Sequence, residues 1–167
     1  MSFQLEKTLI IIKPDALQRN LFGEIVSRFE RKGLKIIGCK MAHLNDVLLN
    51  KHYVQHKDKP FFNGLKKFMK TSPVVVMALE GLNVIKAVRL VVGPTKGWEA
   101  DAGSIRGDLS ISTQANLVHA SDSPEAAKRE IKIFFKNGEL FQYLKCDFDY
   151  VYAETERKSL KRKSLKN

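Results

Sequence analysis

Two short runs are apolar at every position: Leu9 to Ile12, preceded by Thr8 and closed by Lys13-Pro14, and Val74 to Leu79. Neither alternates, and both are rich in β-branched side chains. Each is too short for a buried helix and reads as a strand with no solvent-facing side, so the chain must build a sheet inside a packed core. The second is the longest unbroken apolar run in the 167 residues, far below the roughly 20 that a membrane span needs. Leu9 to Ile12 is equally too short for a secretory signal.

Helical periods lie between the strands. Residues 21–32 place Phe22, Ile25, Val26 and Phe29 on one stripe, with Gly33 suited to the position after the helix. Residues 34–43 read as a strand. Residues 46–56 and 60–70 read as two short helices, split by Asp58-Lys59-Pro60. Residues 73–80 are the buried strand, and 83–92 a helix stopped by Gly93. Asn116 to Ala120 reads as a short fourth strand. Ser123-Pro124-Glu125 supplies an N-cap, an N1 proline and an acid for a helix through Phe135. The predicted fold class is α+β. Strand–helix–strand, repeated, is the order of the split βαβ, ferredoxin-like unit: one four-stranded antiparallel sheet with helices packed on a face. Residues 93–115, rich in Gly, Ser, Thr and Asp and without sustained period, read as a long loop of the kind that carries function. Residues 136–153 read as irregular. The domain is expected to span 1–153, followed by a flexible basic tail, 154–167.

Charge narrows the partners. The chain carries a net +11; the tail accounts for +4, leaving +7 on the body. A basic body suits an anionic partner: a nucleotide, a nucleic acid or an anionic membrane surface. Cys39 and Cys146 form neither a disulfide framework nor a zinc spacing, as expected of a cytoplasmic protein with two inert thiols. The chain has no G-x-x-x-x-G-K-[ST], no G-x-G-x-x-G and no H-E-x-x-H. Phosphate, if handled, falls to side-chain cations.

Of the four histidines, His43 and His52 read as satisfied structural residues. His119 ends the short fourth strand just before a helix N-terminus, beside free N–H groups suited to an anion. A neutral imidazole, with an ordinary pKa of about 6.5, is a nucleophile that needs no base to strip it. Glu130 on the next helix is placed to hold its ring. Spacing alone leaves His119 open between this and a structural role. Lys13 at a strand end, Arg89 on a polar helix face and Arg106 in the long loop together suit a polyphosphate, Arg as a fork and Lys as a point charge. Of Phe61 and Phe62 at a helix start, Phe62 reads as core, while an exposed Phe61 beside a basic cleft would stack on a nucleobase.

The segments TLIIIKPDALQR (8–19), HYVQHKDKPFF (52–62), EGLNVIKAVR (80–89), SIRGD (104–108) and NLVHASDS (116–123) resemble the nucleoside diphosphate kinase family in order and spacing. The resemblance implies a ping-pong transfer of the γ-phosphate of a nucleoside triphosphate, usually ATP, to a nucleoside diphosphate through a phosphohistidine, maintaining the triphosphate pools. It implies His119 as the nucleophile. Lys13, Arg89, Thr95, Arg106 and Asn116 would bind phosphates and ribose hydroxyls, and Tyr53, Ser121 and Glu130 would support them. Phe61 would stack on the base, with His56 and Leu65 nearby. It further implies Mg2+ carried by the nucleotide's phosphates rather than by a protein motif, and a tetrameric or hexameric homo-oligomer. Two departures stand out: Ala102 occupies the place of a common proline before Gly103, and Thr113 a place usually apolar. The rival readings are a nucleic-acid-binding module, which would not need His119 and Glu130, and a catalytically silent nucleotide sensor. A nucleic-acid contact by the tail is the less favoured accessory role.

Overall fold

The computed structural model describes residues 5–158. Four strands, β1 (Leu5–Ile12), β2 (Lys35–Ala42), β3 (Val74–Leu82) and β4 (Val118–Ala120), form one sheet in the order β2-β3-β1-β4. Every neighbouring pair is antiparallel, with Ile11 opposite Val76 on one side and His119 on the other. This is the ferredoxin-like arrangement.

Helices cover both faces, because β1 and β3 are apolar on both. Ile10, Ile12, Met77 and Leu79 point one way, onto α1 (Pro14–Gln18), α2 (Phe22–Arg31) and α5 (Val84–Val92). Leu9, Ile11, Val76 and Ala78 point the other way, onto α3 (Asp46–His52), α4 (Phe62–Met69) and α7 (Pro124–Phe134). Each of the larger of these side chains, the Ile, Leu, Val and Met, contributes about 1.5–3 kcal/mol when withdrawn from water. Phe62 is in this second core, as expected.

Pro14 does more than close a strand: it stands first in α1, where its missing N–H costs nothing and its fixed φ suits the helix. Ser123 caps α7 by accepting from Ala126 N at 3.2 Å. Residues 93–115 are not structureless. They contain a 3-10 turn (Gly97–Glu99) and the helix α6 (Ile105–Leu109), capped by the Ser104 side chain and anchored by the fully buried Ile105. Residues 136–153 are irregular apart from α8 (Phe148–Val151), and 154–158 are helical. The flexibility expected of the tail falls largely on 159–167, outside the described residues. Among the described residues, no helix is long and apolar enough to cross a membrane.

Candidate active site

Strand alternation turns Val118 and Ala120 into the α2–α5 core and leaves His119 facing the α3–α7 side. There its Nε2 lies 3.0 Å from Glu130 Oε2 on α7. Ser121 Oγ donates to the same oxygen at 2.7 Å. Glu130 is buried. Nε2 is the ring nitrogen that Glu130 engages, which leaves Nδ1 outside that contact. Tyr53, also buried, lies edge-on with its ring centroid 6.1 Å from that of His119. Burial, and secondarily Glu130, raise the Tyr53 phenol above its ordinary range, so it stays protonated.

The cations are close at hand. Lys13 Nζ donates to Asn116 Oδ1 at 2.5 Å and to Gln114 O at 3.3 Å. The Asn116 amide in turn donates to Thr95 O and Thr113 O. The buried Arg106 guanidinium donates to three backbone carbonyls: Gly93 at 2.8 Å, Asn116 at 3.2 Å and Val118 at 2.6 Å. Neither cation is hydrogen-bonded to a carboxylate. Burial, with Arg106 adding to it and Asp15 opposing, lowers Lys13 to about 8. Burial, and then Arg89, lower Arg106 to about 10. Arg89 itself is exposed, in the last turn of α5. Arg106 is thus repelled by Arg89 and itself repels Lys13, and such a group of cations has a strong electrostatic demand for an anion.

The backbone is shaped to hold them. Leu117 has φ +73, unusual for a branched side chain, and costs of order 1–3 kcal/mol. Asp15 Oδ2 accepts from its N–H at 3.0 Å, and its carbonyl accepts from Lys13 N at 2.8 Å. That kink links Asn116 to Lys13 on one side and delivers His119 on the other. Gly93 has φ +84, and a Cβ there would meet Ser104 Oγ at 2.6 Å. Only glycine lets this carbonyl reach Arg106.

Phe61 is 53% exposed, with its ring 5.5 Å from half-buried His56; Leu65 is half-buried on α4 below them. Thr95 is exposed, and its carbonyl accepts from the Asn116 amide. Lys13, Asn116, Thr95 and Arg106 thus form one hydrogen-bonded group and His119, Ser121 and Glu130 another, with the Tyr53 ring packed edge-on against His119. Arg89 adds its charge to the first, and Phe61, His56 and Leu65 gather at the start of α4.

Two residues of this region were not singled out as functional from the sequence. Asp15 secures the Leu117 kink, signalled only by its first-turn position after Pro14. His52, expected to be a satisfied structural residue, is the opposite of satisfied. It is fully buried and, among the described residues, neither ring nitrogen has a hydrogen-bond partner. His43, by contrast, is exposed on the loop after β2. Donor atoms of His52, His119 and Glu130 lie within 4.8 Å of one another, the one group of three potential metal ligands among the described residues.

The family model for nucleoside diphosphate kinase matches residues 6–140. The chain belongs to the nucleoside diphosphate kinase family. It is 50% identical over 152 residues to the nucleoside diphosphate kinase of Parabacteroides distasonis, covering 91% of this chain and 99% of that one. It is 46% identical over 150 residues to that of Archaeoglobus fulgidus, covering 90% and 99%. Among solved structures, a halophilic nucleoside diphosphate kinase from Halobacterium salinarum in complex with CDP superposes with a TM-score of 0.87. It is 40% identical and covers 90% of this chain and all of that one. A transition-state mimic of the Borrelia burgdorferi enzyme with bound vanadate and ADP gives 0.83 at 38% identity, covering 89% and 98%. The enzyme class is that of the family: a phosphotransferase acting on nucleotides.

Proposed function

We propose that His119 is the phosphoryl carrier of this nucleoside diphosphate kinase, taking the γ-phosphate of a nucleoside triphosphate and handing it to a nucleoside diphosphate. The observation that carries this is the 3.0 Å contact of His119 Nε2 with buried Glu130, which leaves Nδ1 free beside cations that have no carboxylate hydrogen-bonded to them.

The donor's phosphates lie against Lys13, Arg89 and Arg106, with Thr95 and Asn116 at the phosphates and ribose, and its base on Phe61, between His56 and Leu65. Stacking on one ring accepts any base, since each has a π-face. His119 Nδ1 attacks phosphorus; the N–P bond forms as the bond to the bridging oxygen breaks, and its electron pair leaves with the diphosphate. The cations balance that negative charge. Glu130 balances the positive charge that builds on the imidazole, and Ser121 fixes the carboxylate. The return step is the reverse, with an oxygen of the acceptor diphosphate attacking phosphorus. Phosphoryl transfer is largely positioning and charge balance, which these groups supply.

Mg2+ enters as part of the substrate, bound to nucleotide phosphates and sharing their charge. It is a hard, oxygen-seeking ion, and the two imidazoles near Glu130 are not its preferred ligands. The exposed Trp98, Ile111, Phe141, Leu144 and Tyr150 support a homo-oligomer, tetramer or hexamer, that covers them. A cytoplasmic working place suits the exposed thiols Cys39 and Cys146. The catalytic domain is 1–153, and the basic tail 154–167 is a solubilising end.

Initial rates with ATP and a second nucleoside diphosphate test the reading. Parallel double-reciprocal lines are expected, with ADP released before the acceptor binds. Converging lines, or no new triphosphate, would refute it.

A further inference from the structure

Glu130 engages its two carboxylate oxygens unequally. Oε2 faces two donors, Ser121 and His119. Oε1 faces Arg129 Nη2 at 3.7 Å and His52 Nδ1 at 3.9 Å. His52 is the last residue of α3. Its ring is clamped on three sides, edge-on to His119 (centroids 4.4 Å apart, planes at 79°), Tyr53 (4.3 Å, 66°) and Phe134 (5.3 Å, 73°). A ring present only to fill this space would be a phenylalanine. A buried imidazole with both nitrogens unmet costs stability that an apolar ring would not.

We propose that His52 is a positioning residue for the transfer: its ring packs edge-on against His119, with Nδ1 facing the second oxygen of Glu130 at 3.9 Å, too far for a hydrogen bond, and so holds the nucleophile with Nε2 on the carboxylate and Nδ1 free for phosphorus. The proposal rests on the phosphohistidine reading above. The surroundings keep the ring neutral. Lys13, Arg129, His56 and His119 are its basic neighbours, Glu130 is the carboxylate facing it, and Tyr53 is held protonated. Burial first, and those basic groups second, hold its pKa well below that of a free imidazole. Neutrality matters because a charged His52 would draw on the same negative charge that the phosphorylated ring needs. It would also repel that ring. The surrounding cations equally oppose a divalent ion across His52, His119 and Glu130.

Three variants and one spectrum test this. Single-turnover phosphorylation by ATP is measured in the wild type, His52→Phe and His52→Gln, with His119→Ala as the blank. In parallel, nitrogen NMR reads the tautomer of His119 and the charge of His52. His52→Phe keeps a ring and loses the polar edge that faces Glu130; it is expected to slow phosphorylation about tenfold, the scale on which groups orienting a reactive imidazole act. KM for the nucleotide should stay unchanged, and the His119 proton should become shared between its two nitrogens. His52→Gln, which restores an N–H, should recover most of the rate. In the wild type His52 should stay neutral down to pH 6. A His52→Phe enzyme as fast as wild type, or His52→Phe and His52→Gln equally slow with raised KM, would overturn the proposal. So would a charged His52 at pH 6, which decides the matter even where the phenylalanine variant does not fold. A wild type that takes no label on His119 would instead sink the phosphohistidine reading.

Discussion

On the Arg106 wall of the cleft, two buried cations are hydrogen-bonded only to neutral acceptors: Arg106 to three backbone carbonyls, Lys13 to an amide and a carbonyl. On the Glu130 wall, a buried carboxylate holds a hydroxyl and an imidazole on one oxygen. Burying a charge is costly unless something answers it. The second wall is answered from within, so the His119 ring is oriented before any substrate arrives. The first is answered only in part, and its repulsions are relieved when phosphates enter. One wall is built to orient, the other to attract.

Removing the reacting group should have the largest effect. His119→Ala is expected to retain its melting temperature within a few degrees and to lose about 10^4-fold or more in transfer rate, as loss of a nucleophile does. Residual labelling at the wild-type rate would contradict this. Next comes the attracting wall. Arg106→Ala should lower kcat/KM by roughly 10^2–10^3-fold, typical of a lost charge-stabilising donor, and equally for purine and pyrimidine nucleotides. A loss confined to one base would move Arg106 away from the phosphates.

The pH dependence separates the walls further. Lys13 in the folded, empty protein titrates at about 8, below its ordinary 10.5. Between those values the unfolded chain holds a proton that the native chain has lost, so stability of the empty protein should rise with pH across the window. Affinity for a nucleoside diphosphate should fall across the same window, by about tenfold, as the cation disappears. Melting curves and calorimetric titrations at pH 7 to 10 check both trends, and Lys13→Met should flatten them. Two trends of the same sign in the wild type would break the contrast. The smallest effect is expected where the base stacks. Phe61→Ala should raise KM about tenfold for every nucleotide, with kcat little changed, in keeping with about 1–3 kcal/mol for one stacked base.

Much of this was legible in the residues. The β1 and β3 runs announced a buried sheet, and Ser123-Pro124 announced α7, which brings Glu130 to His119 across eleven positions of sequence. The coverage of both faces followed from the same runs once each side chain had a direction. Helix α6 was not legible, because its local signal is one serine cap before five residues and the rest of what fixes it is distant in sequence. Arg106 reaches carbonyls 10 to 13 residues away, and no hydrophobic period records such bonds. His52 was missed for a related reason. It sits beside Tyr53 in sequence, but its contact with His119 exists only after β4 is laid against β1 and α3 is packed beneath, and nothing near it in the chain marks a nitrogen without a partner.

The central claim is tested most directly by incubating the wild-type protein with γ-labelled ATP and no acceptor, then mapping the label. The expected product is one acid-labile, base-stable phosphoryl group on His119, discharged completely by an added nucleoside diphosphate as labelled triphosphate. Label on any other residue, or transfer that proceeds only while donor and acceptor are bound together, would contradict it.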